Sequence, residues 1–371
     1  MSNESLVSIG RRSPTVTGTC VSHPTPPLIT TIIPTYRRPD LLRRAVGSVL
    51  GQTYPHFQVC IYDNDSGDDT SSVVAELAES DARVKYYCHS ENVGAFKNFS
   101  FGMERVDTQF FSILSDDDLL LPDFYKTAMQ AFTRFPDAMF SAGTTLVVDN
   151  ENIPNTYPPK IKKRQIRYAF PPFVRGDGYY YPPEGLFEII QNHLIWTAVL
   201  FRRDVIDEVG AFDAEIGPMS DQDFLFRTAA RFPLVISPLP CAVFVDHEGA
   251  YGHSRHLEVV WPGWLKIIAN LPQDTRIPAQ VRARAELQLT RRLQEWLLVL
   301  GFGALKQNKY EETYEIAEIL RSNYNLRLKA FALNLNAKLC QHLPAAYTSL
   351  MYSTLKRLNK IRVFLMLLRS S

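Results

Sequence analysis

The chain is poor in the features that announce several common protein classes. Its 371 residues include five cysteines, Cys20, Cys60, Cys88, Cys241 and Cys340, which are odd in number, widely spaced and without a C-x-x-C pair. Neither a disulfide framework nor a structural zinc site follows from that spacing, and a reducing compartment suits it best. An excess of one charge is also missing: 40 basic residues stand against 39 acidic ones, a formal charge of +1, so there is no general attraction to nucleic acid. No run reaches the roughly 18 apolar residues of a spanning helix. The N-terminal stretch lacks the apolar segment of a signal peptide and is rich in Ser, Thr and Pro, so residues 1–27 read as a disordered leader. Glycine-rich phosphate loops of the G-x-G-x-x-G and P-loop kinds are absent, which removes the main evidence for a dinucleotide-dependent dehydrogenase or a P-loop nucleotide hydrolase. The expected location is the cytoplasm, with peripheral attachment at the inner face of the cell membrane as an option.

What is present is a globular composition, 46% hydrophobic and 21% charged, enough for one large core or two smaller ones. TTIIPTY reads as a strand, and in RPDLLRRAVGSVLGQ the residues Leu42, Ala45, Val46, Val49 and Leu50 recur at helical spacing. FQVCIYD is a second strand, DTSSVVAELAES a second helix with Val73, Val74 and Leu77 inward, and RVKYY a third strand. Alternating units with unbroken apolar strands predict a parallel sheet covered on both faces. A helix over about 94–105 then leads into FFSIL and the acidic triplet Asp116, Asp117 and Asp118. Three adjacent carboxylates repel one another unless a cation, water or a helix N-terminus takes up their field. The triplet falls at the carboxyl end of a strand, where open α/β sheets place their ligands. Thr35, Tyr36, Asp63 and Asp116 are expected on that same edge. An aromatic ring, a hydroxyl and several carboxylates suit a base, a ribose and a diphosphate bound through Mg²⁺ or Mn²⁺, which borrow substrate oxygens as ligands. Residues 150–185, rich in Pro, Tyr and basic side chains, read as a long loop that orders on binding. Beyond about residue 276 the pattern is helical.

The ordered set TTIIPTYRRPDLLRRAVGSVLGQTYPHFQVCIYDNDSGDDT, ENVGAFKN, FFSILSDDDLLLPD, VGAFD and SDQDFLFR resembles the family-2 glycosyltransferases of the GT-A fold across roughly residues 28–250. The resemblance implies an α/β fold with a Rossmann-like, mostly parallel sheet flanked by helices, as a domain over residues 28–255. A helical C-terminal region over 256–371 follows it. It also implies roles. Pro34, Thr35 and Tyr36 would cradle the nucleotide base, and Asp63 would accept a hydrogen bond from the base's ring N–H. Asp117 would be the chief metal ligand, with Asp116 on the ribose or as a second metal contact and Asp118 in support. Lys97 and Asn98 would lie near the diphosphate, His247 would complete the metal shell, and Asp221 would be the catalytic base. The chain departs from the family pattern at Ser115 and Ser220, where acids are usual. Ordinary structural roles compete: Tyr36 packing, Asp63 capping a turn, Asp221 capping a helix and His247 in a purely structural place.

These expectations add up to a metal-dependent inverting glycosyltransferase. It would move a sugar from a nucleotide-diphosphate donor to a hydroxyl of a glycan or lipid-linked saccharide, as in cell-surface polysaccharide synthesis. The alternatives are a catalytically silent nucleotide-sugar binding subunit, motivated by Ser115 and Ser220, and a sugar-phosphate nucleotidyltransferase. The second would carry a Gly-rich activating loop where Pro34-Thr35-Tyr36 stands. In STLKRLNKIRVFLMLLRSS, Lys356, Arg357, Lys360, Arg362 and Arg369 accompany an apolar face with no acidic residue, a pattern that fits contact with an anionic membrane.

Overall fold

The computed structural model describes residues 28–149, 166–170, 178–192, 194–247 and 257–342. The leader, the segment 355–371 and most of the loop region 150–185 lie outside the described residues. The chain divides into two compact units, 1–253 and 254–371.

The first unit begins as the periodicity predicts, with β1 (Ile29–Thr35), α1 (Pro39–Leu50), β2 (Phe57–Asp63), α2 (Thr70–Ser80), β3 (Val84–Cys88), α3 (Ala95–Glu104) and β4 (Phe110–Ile113). It continues through β5 (Leu119–Leu120), α4 (Phe124–Arg134), β6 (Phe140–Asp149), β7 (Ile166–Phe170), β8 (Gly178–Tyr180) and α5 (Glu184–Asn192). The remaining elements are β9 (Val199–Arg202), α6 (Asp204–Val209), α7 (Ser220–Ala229) and β10 (Leu234–Asp246). One ten-stranded sheet runs β3-β2-β1-β4-β9-β6-β10-β5, with β7 added to β6 and β8 to β10. Strands β3, β2, β1, β4, β6 and β10 share one direction, while β9 opposes both β4 and β6 between them. The fold is thus a mixed, mostly parallel α/β sheet flanked by helices.

Every residue of β1 is buried, as expected for a strand covered on both faces. On one face Ile29, Ile33, Val59 and Ile61 pack with Leu42, Val46 and Val49 of α1 and with Phe124, Tyr125 and Ala128 of α4. On the other, Phe111, Phe201 and Phe224 bring α7 against β4 and β9, with ring centroids 5.1 to 6.5 Å apart. Helix α3 lies close enough to the sheet that a Cβ on Gly102 would sit 2.6 Å from Ile32 Cγ2, so only glycine fits there.

The loop expectation for 150–185 needs correction. Two short strands, β7 and β8, lie within it, pairing antiparallel with β6 and β10. Their partners are distant in sequence and the flanking prolines hide the alternation, so no local pattern announces them. Tyr179 of β8 stacks on Phe135 at 4.4 Å between ring centroids, which fastens this edge to the end of α4.

The second unit consists of α8 (Leu257–Asn270), α9 (Ala279–Lys306), α10 (Tyr310–Ser322) and α11 (Arg327–His342). Its core includes Leu289, Leu293, Leu297, Ile316, Leu320 and Leu333, all fully buried. Among the described residues no helix is long and apolar enough to cross a membrane.

Candidate active site

Parallel pairing places several strand ends on one edge. Thr35 closes β1 directly opposite Asp63 at the end of β2. Strand β4 ends beside Ile32, and the Leu114 N–H donates to the Ile32 carbonyl at 3.0 Å. The acidic turn follows at once, closed by the Asp118 N–H donating to the Ser115 carbonyl at 3.1 Å.

Within the turn the three carboxylates have different environments. Asp118 is buried: its Oδ2 accepts from Thr197 Oγ1 at 2.9 Å and its Oδ1 from the Val245 N–H at 2.9 Å. It tethers the turn to β10 and to the 3₁₀ turn Trp196–Ala198. Burial, then the neighbouring Asp117 charge, holds its pKa well above the usual carboxylate range. Asp116 accepts from Thr35 Oγ1 at 2.8 Å and from Arg38 Nη1 at 3.1 Å. Burial, then Asp117, pushes Asp116 up to about 6, with Arg38 and Thr35 opposing. Asp117 Oδ2 accepts from the same Arg38 nitrogen at 2.9 Å and lies 3.1 Å from His247 Nε2. The cation that this cluster calls for is here a guanidinium.

Strand β10 explains the arrival of His247. Val243 and Ala242 pair with Leu119 and Leu120 of β5, immediately after the triplet, so the strand's end passes the acidic turn. Among the described residues no three His, Cys, Asp or Glu side chains form a ready-made metal cage. Arg38 bridges the two carboxylates, and His247 Nε2 lies 3.1 Å from the Asp117 oxygen that Arg38 uses. Asp116 and Asp117 still fit a hard divalent ion, because one or two carboxylates suffice when substrate phosphates supply the remaining ligands.

Asp63 closes β2 and is buried. Its Oδ1 accepts from the Ser66 N–H at 3.0 Å and from Ser66 Oγ at 2.6 Å, and its Oδ2 from the Tyr86 hydroxyl at 2.6 Å. It therefore braces its own turn. Pro34 is buried in β1, whereas Tyr36 is exposed, with the Arg37 guanidinium 5.0 Å from its ring. Lys97 is exposed in the first turn of α3. Asn98 is not in the crevice: it is buried, donates to the Tyr62 carbonyl at 2.8 Å and pairs with His89 Nε2 at 2.9 Å. Its amide braces β2, which corrects the expectation that placed it near a diphosphate.

Asp221 lies half-buried in the first turn of α7 and accepts from Gln222 Nε2 at 3.2 Å. Burial pushes it up to about 6, with the Gln222 side chain opposing. Ser220 is fully buried, and its hydroxyl lies 2.7 Å from the carbonyls of both Asp213 and Gly217, between which its one O–H is shared. Asp223 accepts from Arg227 Nε at 2.6 Å, and Arg227 also donates to the carbonyls of Val209, the last residue of α6, and of Ala211 just beyond it. Gln222 further donates to the Leu194 carbonyl at 3.1 Å, a few residues before Thr197, the partner of Asp118. One short segment thereby connects α7 to the acidic turn. Trp196 reinforces it, with ring centroids 4.9 Å from Phe99 and 5.4 Å from Phe212.

The sequence reading assigned no role to Arg38, Thr197, Ser66 or Tyr86. Only Arg38 carries a signal, as a cation next to the Pro34-Thr35-Tyr36 turn.

The mixed, mostly parallel sheet with an acidic turn at its strand ends is a GT-A-like fold. Comparison with known proteins agrees: residues 30–210 match Glycosyl transferase family 2, and the chain carries a domain of that family. It is 34% identical over 105 residues to a GalNAc(5)-diNAcBac-PP-undecaprenol beta-1,3-glucosyltransferase of Campylobacter jejuni, covering 28% of this chain and 34% of that protein. It is 33% identical over 297 residues to an uncharacterized glycosyltransferase of Rickettsia bellii, covering 78% of this chain and 39% of that protein. The chain thus spans well under half the length of either relative. The fold matches the crystal structure of S. aureus TarS 1–349 in complex with UDP-GlcNAc, with TM-score 0.57 at 15% identity over 84% of this chain and 90% of that one.

Proposed function

We propose that the protein is an inverting glycosyltransferase that moves a sugar from a nucleotide-diphosphate donor to a hydroxyl of a glycan or lipid-linked saccharide in cell-surface polysaccharide synthesis. The observation that carries this reading is the pair Asp116 and Asp117, joined through one cationic nitrogen and flanked by Thr35 and His247. Asp116, Asp117 and His247 would hold Mg²⁺ or Mn²⁺. Bound there, the ion would supply charge stabilisation for the departing diphosphate. Pro34, Thr35, Tyr36 and Asp63 would receive the nucleoside, and Lys97 would approach the diphosphate from the first turn of α3. Asp221 would take the proton of the acceptor hydroxyl as its oxygen bonds to the anomeric carbon and the bond to the diphosphate breaks, inverting the configuration. The UDP-GlcNAc complex of TarS and the polyprenyl-diphosphate acceptor in the Campylobacter relative's name support the donor and acceptor classes for those proteins. A panel of nucleotide sugars tests the reading. One donor is expected to raise the melting temperature in the presence of Mn²⁺ and much less in its absence, because a ligand bound only by the native state stabilises it. A panel without any Mn²⁺-dependent shift would contradict the proposal.

A lipid-linked acceptor implies work at a membrane surface, and α11 suits that. Leu328, Phe331 and Leu335 are 85%, 64% and 43% exposed, while Ala330, Leu333, Ala337 and Cys340 are buried on the opposite side. Arg327, Lys329 and Lys338 flank the apolar ridge, and Arg327–His342 contains no acidic residue. Such a face matches an anionic bilayer, as does the basic segment 355–371. The full chain is expected to float with vesicles containing phosphatidylglycerol and not with pure phosphatidylcholine. Leu328→Ser with Phe331→Ser should weaken the flotation, and a chain that ignores anionic vesicles would contradict the membrane reading.

A further inference from the structure

Arg38 holds a place that the proposed reaction needs for another cation. Its Nη1 lies 3.1 Å from Asp116 Oδ1 and 2.9 Å from Asp117 Oδ2, so one nitrogen bridges the two carboxylates assigned to the divalent ion. Its side chain is 31% exposed, against 8% for Asp116 and 12% for Asp117, so the guanidinium closes the pair from the solvent side. The backbone fixes where it comes from: Arg38 stands between the Thr35–Tyr36 turn and Pro39, which opens α1. Proline at the first helical position sets the start of that helix. A positive group within hydrogen-bond reach of both oxygens occupies their shared lone-pair region and repels a second cation.

We propose that Arg38 is a resident counter-ion and positioning residue. It neutralises and aligns Asp116 and Asp117 while no donor is bound, and it is displaced from them when the divalent ion enters with the donor's diphosphate. The proposal rests on the metal reading above. It explains how three adjacent acids are kept in register without an ion: Thr197 and Val245 hold Asp118, Thr35 holds Asp116, and Arg38 bridges Asp116 Oδ1 and Asp117 Oδ2. It also gives entry an order. An ion arriving alone must expel the guanidinium from both carboxylates with no new anion entering beside it. An ion arriving with a diphosphate brings one, because the displaced guanidinium remains at the mouth of the crevice beside the nucleotide turn. Metal and nucleotide are therefore positively coupled through this side chain, each raising the affinity of the other by the same factor.

The experiment uses the full chain, Mn²⁺ as the probe ion and UDP as the probe nucleotide, with bound Mn²⁺ read by electron paramagnetic resonance. Without nucleotide, Arg38→Gln is expected to bind Mn²⁺ at least about fivefold more tightly than wild type, the size of one removed like charge near a surface site. Arg38→Lys, which keeps the charge, should stay near the wild-type affinity. The factor by which UDP tightens Mn²⁺ binding should be smaller in Arg38→Gln than in wild type. Melting curves establish that the variants are folded. If Arg38→Gln binds Mn²⁺ no more tightly than wild type, while UDP still recruits Mn²⁺ to both, the role of Arg38 is overturned and the metal site stands. If wild type takes up no Mn²⁺ even with UDP, both readings fail.

Discussion

Replacing Asp221 by Asn is expected to lower turnover by about 10²-fold or more, the range of a lost acid–base group, with donor affinity almost unchanged. The substitution keeps shape and removes only the proton acceptor. The carboxyl is set for the role by burial, which pushes it up to about 6 in the free protein. A group with that value is largely ionised at pH 7 and still basic enough to take a proton from an attacking hydroxyl. Activity should therefore fall as pH drops through about 6, because the base is consumed by protonation. Asp116 is also pushed up to about 6, but a bound divalent ion would favour its charged form, so at saturating metal the acid limb belongs to Asp221. Asp223→Asn is the control. Its partner Arg227 lies 2.6 Å away and the carboxylate is 4% exposed, so breaking the pair should destabilise the fold by about 3 kcal/mol while sparing turnover. Steady-state kinetics over pH and thermal melts of the two variants separate these outcomes. Near wild-type transfer by Asp221→Asn at saturating acceptor would move the base elsewhere.

The second large effect is expected at Asp117. Asp117→Asn removes one of the two charges bridged by Arg38 and the partner of His247. The fold should survive, because the buried hydrogen bonds that tether the turn belong to Asp116 and Asp118, and because like-charge repulsion inside the triplet falls. Metal-dependent donor binding should not survive. Several kcal/mol of leaving-group stabilisation lost corresponds to roughly 10²- to 10³-fold in rate.

The parts of this architecture that could be read from the chain are those built locally. Leu42, Ala45, Val46 and Val49 face inward because their spacing is that of one helical face, and β1 is buried throughout and β2 nearly so because both of their faces are covered. Asp116 and Asp63 could be placed on one edge because parallel strands end together. What stayed hidden depends on distant partners. Nothing near Val199–Arg202 signals that β9 runs against its neighbours, since its direction is set by pairing with β4 and β6. Helix α8 contains Pro262, which locally argues against a helix. The resemblance implied a supporting part for Asp118, but its partners were unreadable: Thr197 and Val245 lie far along the chain and meet it only in the fold. Arg38 stood in plain view beside the nucleotide turn, yet its role depends on side-chain direction, which spacing does not encode.

The central claim is that this acidic edge binds a nucleotide-diphosphate sugar through a divalent ion and cleaves it. The most direct test is release of nucleoside diphosphate from the donor that stabilises the protein, measured with and without Mn²⁺ for wild type and Asp117→Asn. The account predicts Mn²⁺-dependent release by wild type, slow with water and faster with a glycan acceptor, and release lower by roughly 10²-fold or more in Asp117→Asn. Binding without any release by wild type, or equal Mn²⁺-dependent release by both proteins, would contradict it.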